Sequence, residues 1–357
     1  MNKPLKLYYP LILGIIILTL PLVINLFFND LTRSLMTIVT TEQELKQAIE
    51  TAGYSKISIY VEGIIDLNEV IVIDGIDVTI GGSGTLTAVN RNRHFIIGEN
   101  VLGEETLNTG RLTLIDTIVL TQPEGYDGYS GGVWVNGGTF IMSGGSIVDN
   151  NWQIPQGYAD HSRYRAGGGV HVRGLGLFRM YDGIIAGNQA VYGGGIYLDH
   201  PDGSVVIHGG IIQNNEAYLG GAFYHDGFYS ITTSTGSGFS MSPAPSMTVF
   251  EMHGGEIISN QAKFVGGAMY FHGSSNAYLN GGIIRENVAS SHGGIYGNLL
   301  HIGRRSKVTE NTPTNEWEIS ELQLFLSWLV APNGVVFALV GMLVLIGFWI
   351  EVNLPRP

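Results

Sequence analysis

The sequence predicts an all-β fold: a single-stranded right-handed parallel β-helix with an N-terminal capping helix, flanked by two transmembrane helices. Three observations lead to this prediction. Glycine accounts for 51 of the 357 residues, about twice its usual share of ~7%. A motif with a period of 26–27 residues recurs through residues 124–300. An apolar run without charged residues stands near each end of the chain.

The composition excludes several other classes of protein. Charged residues make up 13% of the chain and apolar residues 45%, which argues against coiled coils, helical solenoids and disordered chains. The absence of Cys rules out disulfide scaffolds and thiolate zinc sites. A net charge of −12 argues against a nucleic-acid partner. No nucleotide is expected either, because no glycine pair opens a helix after a strand.

The first apolar run covers residues 7–29 and is long enough to cross a bilayer as a helix. Lys3 and Lys6 precede it, so the positive-inside rule predicts a cytoplasmic N-terminus. A cleavable signal peptide is the competing interpretation, but residues 22–30 lack the small residues typical of a cleavage site. We therefore favour an uncleaved anchor, followed by a linker over residues 30–40.

The second apolar run covers residues 322–351 and is interrupted by the helix-breaking triplet Pro332-Asn333-Gly334. This pattern predicts an interfacial segment and then a transmembrane helix, with a juxtamembrane segment over residues 301–321 and a cytoplasmic tail over residues 352–357. Two spans put both termini in the cytoplasm and residues 30–321 outside. The expected location is a plasma membrane, in a bacterium, with membrane lipid contacted through both spans.

The repeat contains two alternating motifs. The first is a glycine pair followed by an apolar and an aromatic position, and the latter falls at Trp134, His171, Tyr197, Tyr224, Tyr270 and Tyr296. The second, for example FIMSGGSIVDN, ends at Asn150, Asn188, Asn215, Asn260 and Asn287. Most steps within each series are 26 or 27 residues, and the longer steps mark two insertions.

Each repeat unit has the pattern of three short strands separated by Gly or Asn corners. Stacking such units buries a continuous core, so equivalent apolar positions should form columns. One predicted core column is Val133, Val170, Ile196, Phe223, Met269 and Ile295, and a second is Met142, Met180, Ile207, Met252 and Leu279.

The segment before the glycine-rich part supplies the beginning of a β-helix that we expect to span residues 41–300. Thr41 and Glu44 have the spacing of a capping box, and Gly53 is a typical helix end. A helix over residues 41–53 is therefore predicted. It would cover the first coil, whose strand edges need protection.

The Gly-Gly-[Ile/Val/Met]-Tyr, F-x-M-x-G-G-x-I and N-x-A pattern resembles the right-handed β-helix repeats of bacterial surface proteins of the pectate-lyase-like superfamily. It is also similar to the Gly-Gly-[Ala/Leu/Ile] repeats of polymorphic outer-membrane adhesins. The resemblance covers roughly residues 41–300 and implies the fold more specifically than the function. The chain departs from those adhesins at its C-terminal end, which carries an apolar helical segment.

The two regular columns have different interpretations. Asparagine tolerates left-handed backbone angles and bonds neighbouring backbone groups, so the Asn column is expected to be a structural ladder. The aromatic column lies between two core columns and should point outward, as six exposed rings about 4.8 Å apart. Such rings suit sugars or a partner surface, although outward aromatics also occur because they favour strands.

The two insertions, residues 151–166 and 226–246, should emerge at opposite edges of the sheet that carries the aromatic column. Together they could wall a groove over that column, and functional residues on repeat scaffolds often lie on such loops. Tolerated surface decoration is the alternative. The chemically rich part of the first insertion contributes Trp152, Tyr158, His161, Arg163, Tyr164 and Arg165.

Two classes of function remain open. We favour a non-enzymatic, adhesin-like surface protein that binds a glycan or another surface protein through the aromatic column and the inserted loops. The alternative is a polysaccharide lyase or glycoside hydrolase acting on acidic polysaccharide, for which Asp149, Asp182 and Arg173 are the nearest candidates, in different columns. A scaffold whose spans assemble with other membrane subunits is a third interpretation.

No cofactor and no metal site are predicted. Residues 199–203 form a turn with two carboxylates that could hold Ca²⁺ weakly, although a plain turn is the favoured interpretation. His208 and His253 share a repeat position and should stack, but a third metal ligand is hard to assemble there.

Overall fold

A computed structural model describes residues 35–98, 110–123, 131–152, 166–200, 202–226, 248–272, 276–297 and 300–313. All of them fall in the first of two compact units, Met1–Thr314, and the second is Asn315–Pro357. The described part is all-β apart from one helix, with long parallel sheets compatible with a β-helix or solenoid. The predicted spans at 7–29 and 322–351 lie outside it, and no described helix is long and apolar enough to cross a membrane.

Helix α1, Glu42–Ala52, confirms the prediction made from the capping box. The backbone N–H of Glu44 donates to Oγ1 of Thr41 at 3.2 Å, and the Glu44 carboxylate accepts from the backbone N–H of Thr41 at 3.2 Å. These reciprocal bonds satisfy donors that a helix start leaves unpaired. Leu45 and Ile49 are buried in the main core. The helix therefore packs on the first strands by its apolar side.

The strands, numbered in chain order, form three parallel ladders in which each strand pairs with its equivalent in the next repeat unit. The first ladder contains β1 (Thr37–Val39), β2 (Ile57–Val61), β5 (Asp77–Gly82), β8 (Arg111–Leu114), β11 (Thr139–Val148), β13 (Leu177–Ala186), β15 (Ser204–Ile207), β19 (Thr248–Met252), β23 (Asn276–Leu279) and β26 (Leu300–Ile302).

The second ladder continues from the first through the long strands β11 and β13, whose pairing register shifts between Met142 and Ser146. Its other members are β3 (Ile64–Leu67), β6 (Thr85–Ala88), β9 (Val119–Thr121), β16 (Ile211–Gln213), β20 (Glu256–Ile258), β24 (Gly282–Arg285) and β27 (Ser306–Thr309). The two ladders together form one 17-stranded sheet.

The third ladder is a separate 8-stranded sheet, here called the ring sheet because it carries the aromatic column. It contains β4 (Ile71–Ile73), β7 (Phe95–Ile97), β10 (Val133–Asn136), β12 (Val170–Arg173), β14 (Ile196–Leu198), β18 (Phe223–His225), β22 (Met269–Phe271) and β25 (Ile295–Tyr296). A small two-stranded sheet pairs β17 (Glu216–Leu219) with β21 (Gln261–Val265).

The core lies between the ladders, and both predicted core columns are buried within it. Every member of the two columns is at most 3% exposed. Phe140 and Phe178, on adjacent strands, stack with ring centroids 5.2 Å apart. Burying one such side chain contributes roughly 1.5–3 kcal/mol. Repetition along the ladders therefore makes one continuous apolar core from short strands.

The strands extend beyond the predicted 41–300 span at both ends. Strand β1 lies in the segment predicted as a linker and pairs with β2. Strands β26 and β27 lie at or beyond residue 300, largely in the segment predicted as juxtamembrane, and pair with β23 and β24. They were missed because they continue the backbone pairing without the glycine–aromatic motif on which the sequence analysis relied.

The asparagine column is a hydrogen-bonded ladder, as predicted. The backbone N–H and the side-chain amide of Asn188 both donate to Oδ1 of Asn215, at 3.0 and 2.9 Å. The same pair of bonds joins every consecutive pair in the column, and Asn311 extends it by one member. Its side chains are almost completely buried. The ladder thus satisfies buried polar groups at one corner of each repeat unit.

Candidate functional site

The predicted aromatic column is continuous in the structure. Its six rings come from neighbouring strands of the ring sheet in register: Trp134, His171, Tyr197, Tyr224, Tyr270 and Tyr296. Adjacent ring centroids are between 4.9 and 5.7 Å apart. All pairs are stacked except His171 and Tyr197, which meet edge to face. The alignment and the stacking of the rings are therefore as predicted.

The prediction that all six rings are exposed is wrong for the middle of the column. Tyr197 is 1% exposed, His171 2% and Tyr224 6%, whereas Tyr296 is 36% exposed. Tyr192 packs against Tyr197 and Tyr224, and its ring lies 5.0 Å from that of Tyr224. Tyr197 and Tyr224 therefore stabilise the sheet, and contact with a ligand is expected nearer the ends of the column.

Two buried carboxylates lie beside the middle of the column, where strands of the ring sheet end. Oδ2 of Asp199 lies 3.2 Å from Nε2 of His171 and 3.6 Å from Nε of Arg173. The Tyr197 hydroxyl donates to Oδ2 of Asp226 at 3.0 Å. Asp199 is 7% exposed and Asp226 5%. Oδ1 of Asp199 has no hydrogen-bond partner in the described part of the chain.

Burial controls the protonation of this cluster. It lowers the pKa of His171, although the hydrogen bond to Asp199 opposes the shift. It also lowers the pKa of His225 to about 4 and raises the pKa of the Tyr197 phenol. Both imidazoles are therefore favoured in their neutral, basic form near pH 7. The cluster combines a neutral His171 with a carboxylate that orients it.

A cleft of about 210 Å³ opens at the other side of the column, near its Trp134 end. The indole Nε1 of Trp134 is buried and has no hydrogen-bond partner among the described residues. A buried indole N–H normally finds a partner, so this donor is an unsatisfied polar group at the Trp134 end of the column. This Trp134 cleft is lined by Val70, Arg91, Asn92, Arg93, Ile96, Trp134, Trp152 and His171.

Trp152 is 9% exposed and lies at the start of the first insertion, where it contacts Gly131 and Arg93. Its Nε1 donates to the carbonyl of Gly131 at 2.9 Å, and the Arg93 guanidinium lies 4.1 Å from the centre of its ring. Arg93 also donates to the carbonyls of Ala166 and Gly167, at 2.7 and 2.6 Å. Both ends of the insertion are therefore held together at the edge of the Trp134 cleft.

No family model, curated protein or solved structure matches this chain. The candidate site therefore rests on its own geometry and chemistry.

The other predicted site residues of the first insertion, Tyr158, His161, Arg163, Tyr164 and Arg165, lie outside the described residues. Of the second insertion, 226–246, only its first residue is described. The predicted groove walls therefore remain a prediction. The described boundaries of both insertions nevertheless lie beside the aromatic column, through Trp152 at one edge and Asp226 at the other.

The structure does not bring the proposed lyase residues together. Asp149 and Asp182 are exposed and belong to the 17-stranded sheet or the turn after it, whereas Arg173 belongs to the ring sheet. Arg173 contacts Asp199 instead. The three residues occupy different columns of the repeat, as the sequence indicated, and the structure places them on two different sheets.

Within the described ranges, no group of three or more His, Asp or Glu side chains could hold a metal ion. In the turn considered for Ca²⁺, Asp199 contacts His171 while Asp202 pairs with His200 at 3.5 Å. The predicted stacking of His208 on His253 is confirmed at 5.0 Å, and Tyr181 extends that stack.

Sequence reasoning missed the roles of Asp199, Asp226 and Arg93. A signal for the carboxylates was present, since Arg173, Asp199 and Asp226 each stand two residues after a ring of the column. That position is polar in five successive repeat units, although it lies at the start of a loop, where a regular pattern is not expected. For Arg93 there was no such signal, because its contacts are to backbone carbonyls distant in sequence.

Proposed function

We propose that the protein is a membrane-anchored, extracytoplasmic right-handed β-helix that binds a glycan without cleaving it, through the Trp134 cleft. The three parallel ladders and the ~27-residue repeat support a right-handed β-helix, as does the resemblance to pectate-lyase-like and adhesin repeats. The two apolar runs at 7–29 and 322–351 support the anchorage.

One observation carries the binding proposal. The cleft places the ring of Trp134 beside the polar side chains of Arg91 and Asn92. Sugar rings present an apolar face with hydroxyl groups around it, which matches a stacking platform with a nearby donor. The stacked column behind Trp134 holds its ring in place, so little conformational freedom is lost when a ligand binds.

Glycan-array binding of the purified full-length chain in detergent tests the proposal. The Trp134→Ala variant should lose at least tenfold in affinity for the glycan that binds. Tyr278→Ala is the matched control, because Tyr278 stacks on His301 at 4.6 Å in the 17-stranded sheet, away from the cleft. Equal binding by wild type and the Trp134 variant would refute the proposal.

A second candidate function is supported by the pair of His171 and Asp199. His171 lines the cleft, and a neutral imidazole held by a carboxylate can act as a general base. In a polysaccharide lyase it would remove the proton next to a uronate carboxyl group. Incubation with uronic-acid polymers, with and without Ca²⁺, should then release unsaturated products that are absent with His171→Gln.

A further inference from the structure

The charge of Arg93 is buried without a described counter-ion. The residue is 6% exposed, and no carboxylate lies within ion-pairing distance of it in the described part of the chain. Its hydrogen-bond acceptors are the carbonyls of Gly131, Ala166 and Gly167. Burying an unpaired charge costs several kcal/mol. Carbonyl dipoles offset only part of that cost.

Burial lowers the pKa of Arg93 to about 9, and no acidic neighbour raises it again. The guanidinium is therefore still charged at neutral pH. Its three described hydrogen bonds use the Nη1 and Nη2 atoms, and a guanidinium has five N–H donors. The positive charge of Arg93 therefore lies in the wall of the Trp134 cleft.

The rest of the cleft wall has the same electrostatic character. Arg91 and Asn92 also line it, and none of the described lining residues is acidic. The chain as a whole carries a net charge of −12, whereas the described lining of this cleft contains two arginines and no carboxylate. Asn90 and Arg91 both hold left-handed backbone angles, with φ of 61° and 63°.

We infer that the Trp134 cleft is a subsite for an oxyanion, a carboxylate or phosphate group carried by the bound glycan. The anion would supply the counter-charge that the described residues do not give Arg93, and the attached sugar would stack on Trp134. This inference rests on the proposed glycan binding for its ligand, but the anion site itself does not. A uronic acid and a polyol phosphate are the two sources of such a group.

Calorimetry on the full-length chain in detergent tests the inference with four probes: a uronic-acid tetrasaccharide, a glycerol-phosphate oligomer, a neutral tetrasaccharide and inorganic phosphate. One of the two acidic polymers should bind at least tenfold more tightly than the neutral sugar. Arg93→Gln and, independently, Arg91→Gln should each weaken that binding, by tenfold or more for Arg93. Arg179→Gln, an exposed position on β13, is the control and should bind as wild type does.

The two proposals fail in different ways. Equal affinity for neutral and acidic sugars would overturn the anion subsite and leave the glycan proposal standing. If no sugar binds but inorganic phosphate raises the melting temperature of wild type and not of the arginine variants, the subsite stands and the glycan proposal falls. If neither sugars nor phosphate have an effect, both are wrong. Arg91→Gln keeps the test decisive if Arg93→Gln fails to fold.

Discussion

Oδ1 of Asn215 accepts two hydrogen bonds from Asn188, one from its backbone N–H at 3.0 Å and one from its side-chain amide at 2.9 Å. Each asparagine of the column thus binds its neighbour's backbone and side chain at once. Because all of these groups are buried, no water can replace a missing partner. The ladder therefore couples successive repeat units through one corner.

Asn215→Ala should destabilise the protein severely. It leaves the two donors of Asn188 and the carbonyl of Ile185 without partners. Unsatisfied buried groups cost about 1–3 kcal/mol each, so a loss of at least about 3 kcal/mol is expected. Thermal unfolding followed by circular dichroism measures it. Asn280→Ala, at an exposed corner, should change the melting temperature little, and equal effects of the two substitutions would contradict the ladder's role.

Removing the hydroxyl group should change the free energy of unfolding differently at two tyrosines of the column. Tyr197→Phe deletes the bond to the buried carboxylate of Asp226 and should cost about 1.5–3 kcal/mol, the range for hydrogen bonds to charged groups. Tyr270→Phe, in the same column, should cost less than about 0.5 kcal/mol because its ring stacking is retained. The measurement is urea unfolding of both variants. Tyr197→Phe as stable as Tyr270→Phe would exclude an energetic role for the bond.

Stability should fall as the pH is lowered from 6.5 to 5. Burial lowers the pKa of His94 and of His225 to about 4, whereas an unfolded chain titrates near 6.5. Over this interval the unfolded state binds more protons, so acid favours unfolding. Each histidine would contribute about 1.5 kcal/mol to the loss. Melting temperatures across this range provide the check.

A variant makes the pH prediction specific. His94→Gln removes one of the buried histidines whose pKa is lowered, so its melting temperature should depend less steeply on pH than that of wild type, whatever its stability at pH 7. The same pH slope in both proteins would show that His94 does not contribute.

Gly194→Ala tests the close approach of successive repeat units. A Cβ atom at this position would lie 2.5 Å from the backbone oxygen of Glu216 and 2.7 Å from that of Gly221. Backbone atoms cannot move aside cheaply, so a loss of more than about 2 kcal/mol is expected, in the range for overpacking. Gly53→Ala is the comparison, since nothing lies within 4 Å of its Cβ but its φ is +57°. It should cost only about 1 kcal/mol, from backbone conformation alone.

Most features of the fold could be predicted from the sequence repeat. Positions separated by one period are neighbours in a parallel ladder, so spacing in the sequence becomes proximity in space. The core columns, the order of the six rings from Trp134 to Tyr296 and the Asn ladder all follow from this rule. The helix at Glu42–Ala52 followed from a local rule, since a capping box involves residues three apart.

The candidate site was predicted less well. The repeat period says which rings adjoin, but it does not say what covers them, and Tyr192 packs against Tyr197 and Tyr224 from outside the motif. The pairing of Tyr197 with Asp226 depends on side-chain direction across 29 residues.

By itself, the sequence determined the period, the strands of the glycine-rich repeat, the core columns and the ladder that satisfies buried amides, because all of these depend on equivalent positions in successive units. Only the tertiary structure decided the exposure of the aromatic rings, the contact of Asp199 with His171 and the burial of Arg93 beside the Trp134 cleft. These depend on side chains that break the repeat. Burial and charge pairing are properties of a residue's whole surroundings, and periodicity specifies only the part contributed by the neighbouring units.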